Sequence, residues 1–469
     1  MSQFSTLLKE YTVKKGYTIK TLSEMCGVER TYLHKILKGE RKPPNTDFVN
    51  EICRQLMLTA EEKSELMERY NIAVMGEDVY MRRSRVGEII SSMANCGSNS
   101  KKGIDFKTEI DYDSVPEVSS YSDGKEFYKN IQILMSCDVQ NGSDIRVVAQ
   151  PSELLNSMLS YCVEGADVSV YHLFCFDNNA CESNSNKYNL GIFPFICDMA
   201  MAYERYKPFY YYDQALSHIN SMSLMPYVLI TDNFVICSDE KFSRGMIYKS
   251  HKAVDFYIGQ FERLRSECMS LLNSASSLVE IAQFWYEDAE FLVSFDYQPC
   301  SMTGITEEIY NAHAKVPEEM KPIISGVLLK GQSNYKKIRF VNFFSEKGLA
   351  EFIETGEIFE LPAGTYIRPT LAERKIILQN MIAVCQNGGC EYRVIKDDRL
   401  ASTKNLCINV AGQKKLKIVA RADSFSDFSY LSINERSLIY AFGDYFKYLL
   451  ESDFVASKEE TVEIMKKYL

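Results

Sequence analysis

Short apolar stripes at helical spacing fill the first seventy residues. Phe4–Lys15 carries Leu7, Leu8, Tyr11 and Val13, and Gly16 closes it, as glycine does just past a helix end. Thr18 is placed to cap a second helix, Ile19–Cys26, with Ile19, Leu22, Met25 and Cys26 on one face, and Gly27 breaks it. A third helix, Arg30–Lys38, turns Leu33, Ile36 and Leu37 inward and stops at Gly39. After Pro43-Pro44, Asn45 or Thr46 opens a fourth helix (Phe48, Ile52, Leu56). A capping box at Thr59-x-x-Glu62 opens a fifth, ending near Tyr70.

The periodicity then changes. Residues 71–125 are polar and turn-rich, notably Asn95–Lys102 and Ser114–Gly124, and read as a linker holding one helix, Arg85–Met93. Beyond it, strand patterns at Ile145–Val148, Val168–Phe176, Tyr227–Thr231, Phe234–Ser238, Ile324–Leu329, Lys337–Phe344, Leu406–Val410 and Leu416–Val419 alternate with helical ones. The helices expected are Glu126–Ser136, Ser152–Tyr161, Ala253–Leu272, Leu371–Cys385 and Glu435–Glu451. The fold class expected is α+β multidomain: a five-helix domain (1–70), a linker (71–125), and a mixed α/β body in two sub-domains (126–275 and 276–469).

The body echoes itself. KEFYKNIQILMSCDVQNGSDIRVV matches LAERKIILQNMIAVCQNGGCEYRVI, with Gln-Asn-Gly at 140–142 and 386–388. Each copy later gives a strand pair and an aromatic helix: VLITDNFVICS with VDFYIGQFERL, and LCINVAGQKKLKIVA with LIYAFGDYFKYL. Two halves of like topology are expected.

Composition changes this picture little and charge changes it more. With 46% hydrophobic and 25% charged residues the chain is ordinary globular material. No apolar stretch marks a signal peptide, and Leu190–Ala202, interrupted by Asp198, falls short of the ~20 residues that span a bilayer. The fourteen cysteines form no CxxC pair and sit mostly in apolar runs, as buried thiols do in a reducing cytoplasm. The net charge of −10 disfavours nucleic acid overall, but residues 1–45 hold nine Lys/Arg against four Asp/Glu, a local +5 on a remainder of −15.

That basic region contains the segment from Thr18 to Glu40, two short helices joined by a Gly-containing turn, a geometry that frees the second helix for a major groove ~12 Å wide. Its outward positions, Arg30, Thr31, His34, Lys35 and Lys38, are cationic or hydrogen-bonding, and Arg41 and Lys42 follow where phosphates would lie. Residues 4–70, with Gly27-Val28 in the turn and Gly39-x-Arg41-x-Pro43 after the third helix, resemble the lambda-repressor-like (XRE-type) helix-turn-helix domain. The resemblance implies a cytoplasmic transcriptional regulator that binds operator double-stranded DNA as a homodimer. The candidate DNA contacts are Thr18, Lys20, Arg30, Thr31, Tyr32, His34, Lys35, Lys38 and Arg41. Three positions depart from the family pattern: Ile19 where Gln is common, Glu29 where Ser often caps the recognition helix, and Leu37 where Glu is frequent.

The body offers no reactive constellation. It has no HExxH, GxSxG, GxxxxGK[ST] or GxGxxG, and no catalytic residue, metal ligand or cofactor is expected. His172, in the apolar run VSVYHLFCF, reads as a satisfied core histidine. The aromatic cluster Tyr203–Tyr212 suits a packed helix end or a subunit surface, with a ring-lined ligand pocket as the alternative. The paired halves faintly resemble the phospholipase-D-like architecture, whose His-x-Lys motif with a following Asp is absent; His251-Lys252 lacks the spacing. That resemblance implies an inactive cleft between the halves, a sensor or a packing surface; in a regulator the body is expected to dimerise and to sense an unidentified small-molecule or peptide effector. The alternative is an enzyme or protein-interaction effector with a helix-turn-helix targeting head.

Overall fold

In the computed structural model the chain folds as two units, Met1–Ser84 and Arg85–Leu469. The residues described are 2–93, 116–178, 187–214, 225–274, 280, 291–322, 325–326, 333, 338–359, 361, 364–401, 404, 406–421 and 428–469.

The first unit is built from α1 (Gln3–Lys14), α2 (Ile19–Met25), α3 (Arg30–Leu37), α4 (Thr46–Gln55) and α5 (Ala60–Met75). The side chains of Ser2, Thr18, Asn45 and Thr59 each accept a backbone N–H of the helix they open, and Thr59 with Glu62 completes a capping box. Gly16, Gly27 and Gly39 follow α1, α2 and α3 in the left-handed region, φ +75°, +64° and +74°. There the chain reverses without a Cβ penalty, which is why these short helices end where they do. Phe4, Leu8, Leu22, Leu33, Ile36, Val49, Ile52, Leu56 and Leu66 form the core. The Ser5 hydroxyl donates to the Ile36 carbonyl at 2.7 Å and ties α1 to the end of α3. Lys14 and Lys15 clasp Glu62 at 2.8 Å each, and these cations hold its carboxyl down at about 2.

The last turns of α6 (Glu77–Met93) belong to the second unit, where Val86, Ile89, Ile90 and Met93 are core residues. The stretch expected as a linker therefore contains the end of α5, α6 and a strand, β1 (Val118–Tyr121); Asn95–Lys102 lies outside the described residues.

Two mixed sheets carry this unit. The first half runs α7 (Gly124–Gln140), β2 (Ile145–Val148), α8 (Glu153–Val163), β3 (Val170–Asp177), α9 (Lys187–Ala202), β4 (Tyr206–Asp213), β5 (Tyr227–Ile230), β6 (Val235–Ser238), β7 (Gly245–Tyr248), α10 (His251–Glu267) and the short β8 (Met269–Ser270). The second half runs β9 (Leu272–Ser274), β10 (Phe291–Asp296), α11 (Glu307–His313), β11 (Arg339–Ser345), α12 (Glu346–Thr355), α13 (Leu371–Gln386), β12 (Glu391–Ile395), α14 (Asp398–Ala401), β13 (Leu406–Ala411), β14 (Lys415–Arg421), β15 (Phe428–Ile433), α15 (Arg436–Glu451) and α16 (Lys458–Lys466). The strand orders are β1-β7-β6-β5-β2-β3-β4-β8 and β12-β11-β10-β13-β14-β15-β9.

The two orders are one topology used twice. In each half three parallel strands (β4-β3-β2, β12-β11-β10) meet an antiparallel run (β5-β6-β7, β13-β14-β15). A further strand closes the antiparallel edge (β1, β9), and a long helix follows it (α10, α15). The fold is α+β with two similar halves. The strand pair and aromatic helix correspond as the sequence suggested. The Gln-Asn-Gly match does not, because it equates β2 with β12, whereas β2 occupies the place of β10.

Other expectations are corrected. The helix expected over Ala253–Leu272 stops at Glu267, and β8 and β9 take its tail. Tyr203–Tyr212 is mostly β4 rather than a helix end, with Tyr206 and Tyr210 buried in alternation. Ile324–Leu329 lies, apart from Ser325 and Gly326, outside the described residues. Phe193 of α9 and Phe295 and Phe343 of the second sheet pack around Phe442 and Phe446 of α15, so one core joins the halves. At the same seam Asn189 donates to the Ser437 hydroxyl at 3.0 Å and Tyr212 to Glu435 at 2.5 Å.

Candidate nucleic-acid interface

α3 is an eight-residue amphipathic helix. Leu33, Ile36 and Leu37 seat it in the core, which leaves Arg30, Thr31, His34, Lys35 and Lys38 exposed on its other side. Among the described residues Arg30, His34, Lys35 and Lys38 make no side-chain hydrogen bond or ion pair within the chain, so their donors are directed to solvent. Tyr32 is half-buried, edge-on to Phe48 with ring centroids 6.0 Å apart. The Arg41 guanidinium stacks over the Tyr32 ring at 4.5 Å, which fixes a long cationic side chain just beyond the end of α3. Lys42 is exposed and reaches the Val74 carbonyl at 3.3 Å.

α2 lies before this helix, across the turn Cys26–Glu29. Thr18 caps it and shares a 2.8 Å hydrogen bond with the Thr21 hydroxyl; both are exposed. Lys20 is exposed and only loosely paired with Glu24, at 3.9 Å. The structure thus leaves eight of the nine expected contact residues exposed, and makes Tyr32 a support for Arg41 as much as a surface residue.

Sequence reasoning missed the role of Glu29. It precedes α3 without a side-chain capping bond, unlike the residues before α1, α2, α4 and α5. Its carboxylate instead accepts the hydroxyl proton of Thr31. The only signal in the sequence was the acid standing where a cap is usual.

The second unit holds buried polar groups of its own. His172 is fully buried; its Nδ1 meets the Tyr206 hydroxyl at 2.7 Å and its Nε2 the Ala149 carbonyl at 2.9 Å. A carbonyl can only accept, so Nε2 carries the proton and Tyr206 donates to Nδ1. Burial pushes this imidazole down to about 4. A second cluster crosses the second sheet: Tyr392, Asn342, Ser294, Asn409, Lys417, Ser432 and Asn273 are successive cross-strand partners on one face. All but Asn273 are buried. Beside the row, Asp296 accepts from the Asn342 amide at 2.5 Å and from the Ser294 hydroxyl, while no N–H or O–H donor among the described residues reaches its Oδ1. Burial pushes its carboxyl up to about 6.

No group of three His, Cys, Asp or Glu side chains among the described residues could hold a metal ion. No helix among them is long and apolar enough to cross a membrane. Twelve cysteines are free thiols, mostly buried, and burial pushes Cys175 up to about 11 and Cys162 to about 12; Cys96 and Cys181 lie outside the described residues.

No family model matches the chain, and no curated protein matches it. Among solved structures, weak likenesses include TrmBL2, an archaeal chromatin protein described as showing a novel mode of DNA binding. It is 12% identical over 58% of this chain and 95% of that one, with a TM-score of 0.22. Others are phosphatidylserine synthase of Haemophilus influenzae (11% identity, 74% and 88%, TM-score 0.23) and polyphosphate kinase from Porphyromonas gingivalis (10%, 68% and 47%, TM-score 0.20). Likenesses this low neither place the chain in a family nor bear on what it binds.

Proposed function

We propose that this chain is a sequence-specific DNA-binding transcriptional regulator whose third helix reads an operator in the major groove. The observation that carries the reading is the outer face of α3. Arg30, His34, Lys35 and Lys38 are exposed without partners among the described residues, in a segment (residues 1–45) that is locally +5 within a net-acidic protein. Arg30 can donate bidentately to guanine O6 and N7. Lys38 and the stacked Arg41 lie where phosphates flank a recognition helix, with Thr18 and Lys20 of α2 as further backbone contacts.

On this reading the second unit is no enzyme. Its repeated strand order supports a pair of phospholipase-D-like halves lacking the catalytic motif. It serves cytoplasmic homodimerisation, which would set two heads on half-sites about 34 Å apart. It also senses a small-molecule or peptide effector, which acts by binding two arrangements of the heads with different affinity.

The test uses the full chain and a duplex selected by it from random sequence. Arg30→Ala and Lys35→Ala should each weaken binding of that duplex by about 1–3 kcal/mol in fluorescence anisotropy. Unchanged affinity in both variants overturns the assignment of the recognition helix.

A further inference from the structure

The residue just before α3, Glu29, is an acid that the described part of the molecule leaves almost unused. Glu29 is exposed and, among the described residues, makes no capping bond to α3 and forms no ion pair. Near a polyanion such a carboxylate is unfavourable unless it meets a donor there. The Glu29 carboxylate makes one hydrogen bond among the described residues, to the Thr31 hydroxyl, whose proton it accepts. With that proton committed, Thr31 presents lone pairs only, so the two side chains form an acceptor-only patch. Between them in sequence stands Arg30, also exposed, which offers donors only.

We propose that Glu29 is a specificity residue that selects cytosine in the bound DNA, beside a guanine read by Arg30. The proposal rests on the reading of α3 as the recognition helix and names the base that reading leaves open. In the major groove only two groups donate hydrogen bonds, the cytosine N4 amine and the adenine N6 amine. Adenine sets its N7 lone pair next to that amine, where a carboxylate is repelled, whereas cytosine sets a C–H there. Thymine and guanine place a carbonyl oxygen toward the carboxylate and are rejected. A C·G pair presents one donor and two acceptors, the complement of Glu29 next to Arg30. Thr31 holds the carboxylate in place, so the acceptor is oriented before DNA arrives.

The experiment is selection from random-sequence duplex DNA by the full chain, in parallel with Glu29→Gln and Glu29→Ala, followed by affinity measurement on the selected duplex and on an unrelated one. Wild type should enrich motifs with an invariant cytosine in each half-site. Both variants should lose roughly 5- to 100-fold discrimination at that one position and keep the others. They should also bind the unrelated duplex as tightly as wild type or more tightly, because a negative charge near phosphate has gone. A merely structural role would weaken both duplexes together. If the variants enrich the wild-type motif unchanged, or lose affinity for both duplexes alike, the cytosine assignment is overturned. If all three proteins enrich nothing, the DNA-reading proposal itself falls and takes this one with it.

Discussion

Two buried titrating side chains in the body have opposite consequences for stability. The folded Asp296 carboxyl is raised to about 6 by burial, against roughly 4 for an unfolded aspartate. Between those values the folded state holds a proton that the unfolded state has lost, so stability falls as pH rises from about 4 to about 6 and stays reduced above. Asp296→Asn keeps an acceptor for Ser294 and the Asn342 amide and carries no charge. It should remove that slope and raise the thermal midpoint at neutral pH; an unchanged pH profile would contradict the account. His172 runs the other way. Its folded value near 4 lies below the ordinary 6.5, so stability is complete above about 6.5 and is lost as pH falls toward 4. Tyr206→Phe leaves His172 Nδ1 buried without a donor. It should cost about 1–3 kcal/mol at neutral pH in denaturant unfolding, where the wild-type imidazole is uncharged.

At the scale of elements, glycines separate tolerance from tight packing. Gly27, in the turn before α3, has positive φ and open space around a would-be Cβ. Gly27→Ala should cost only the backbone strain, about 1–2 kcal/mol. A Cβ on Gly348, in the first turn of α12, would lie 2.0 Å from the Tyr297 carbonyl oxygen, just past the end of β10. Gly348→Ala must move α12 off that strand and should cost more than about 3 kcal/mol. Chemical denaturation of both variants checks the contrast, and equal losses would contradict it.

The same scale shows what could be read in advance. The helices of the first unit were legible because each is bounded by a capping side chain, a closing glycine or both, local signals that tertiary packing did not override. The exposed face of α3 followed from three buried apolar positions, whereas the Glu29–Thr31 bond, a choice of rotamer, left no trace in the pattern. In the body, β4 was hidden because Tyr206–Tyr212 is aromatic at buried and half-buried positions alike, which erases the two-residue period. The tail of α10 was hidden because Cys268, Met269, Leu271 and Leu272 continue an apolar run while the backbone turns into edge strands. The repeat was visible in strand order, but the Gln-Asn-Gly turns misled: a helix-to-strand turn of this kind recurs at non-equivalent strands.

Across the whole molecule, charge is divided: a +5 segment of forty-five residues stands in a chain of net −10. On the proposed reading, binding to duplex DNA comes from a small cationic surface and depends steeply on salt, because each phosphate neutralised releases condensed counterions. The second unit supplies two similar halves with a shared core, a scaffold on which an effector could act only through a difference in affinity between two arrangements.

The most direct test is the equilibrium binding of the full chain to fragmented genomic duplex DNA, titrated across salt and compared with an Arg30→Ala/Lys35→Ala/Lys38→Ala variant. The account predicts saturable wild-type binding whose log affinity falls linearly with log salt. The triple variant should bind at least about 100-fold more weakly and with a slope shallower by two or more. Absence of wild-type binding at low salt, or equal affinity and slope for the two proteins, would contradict it.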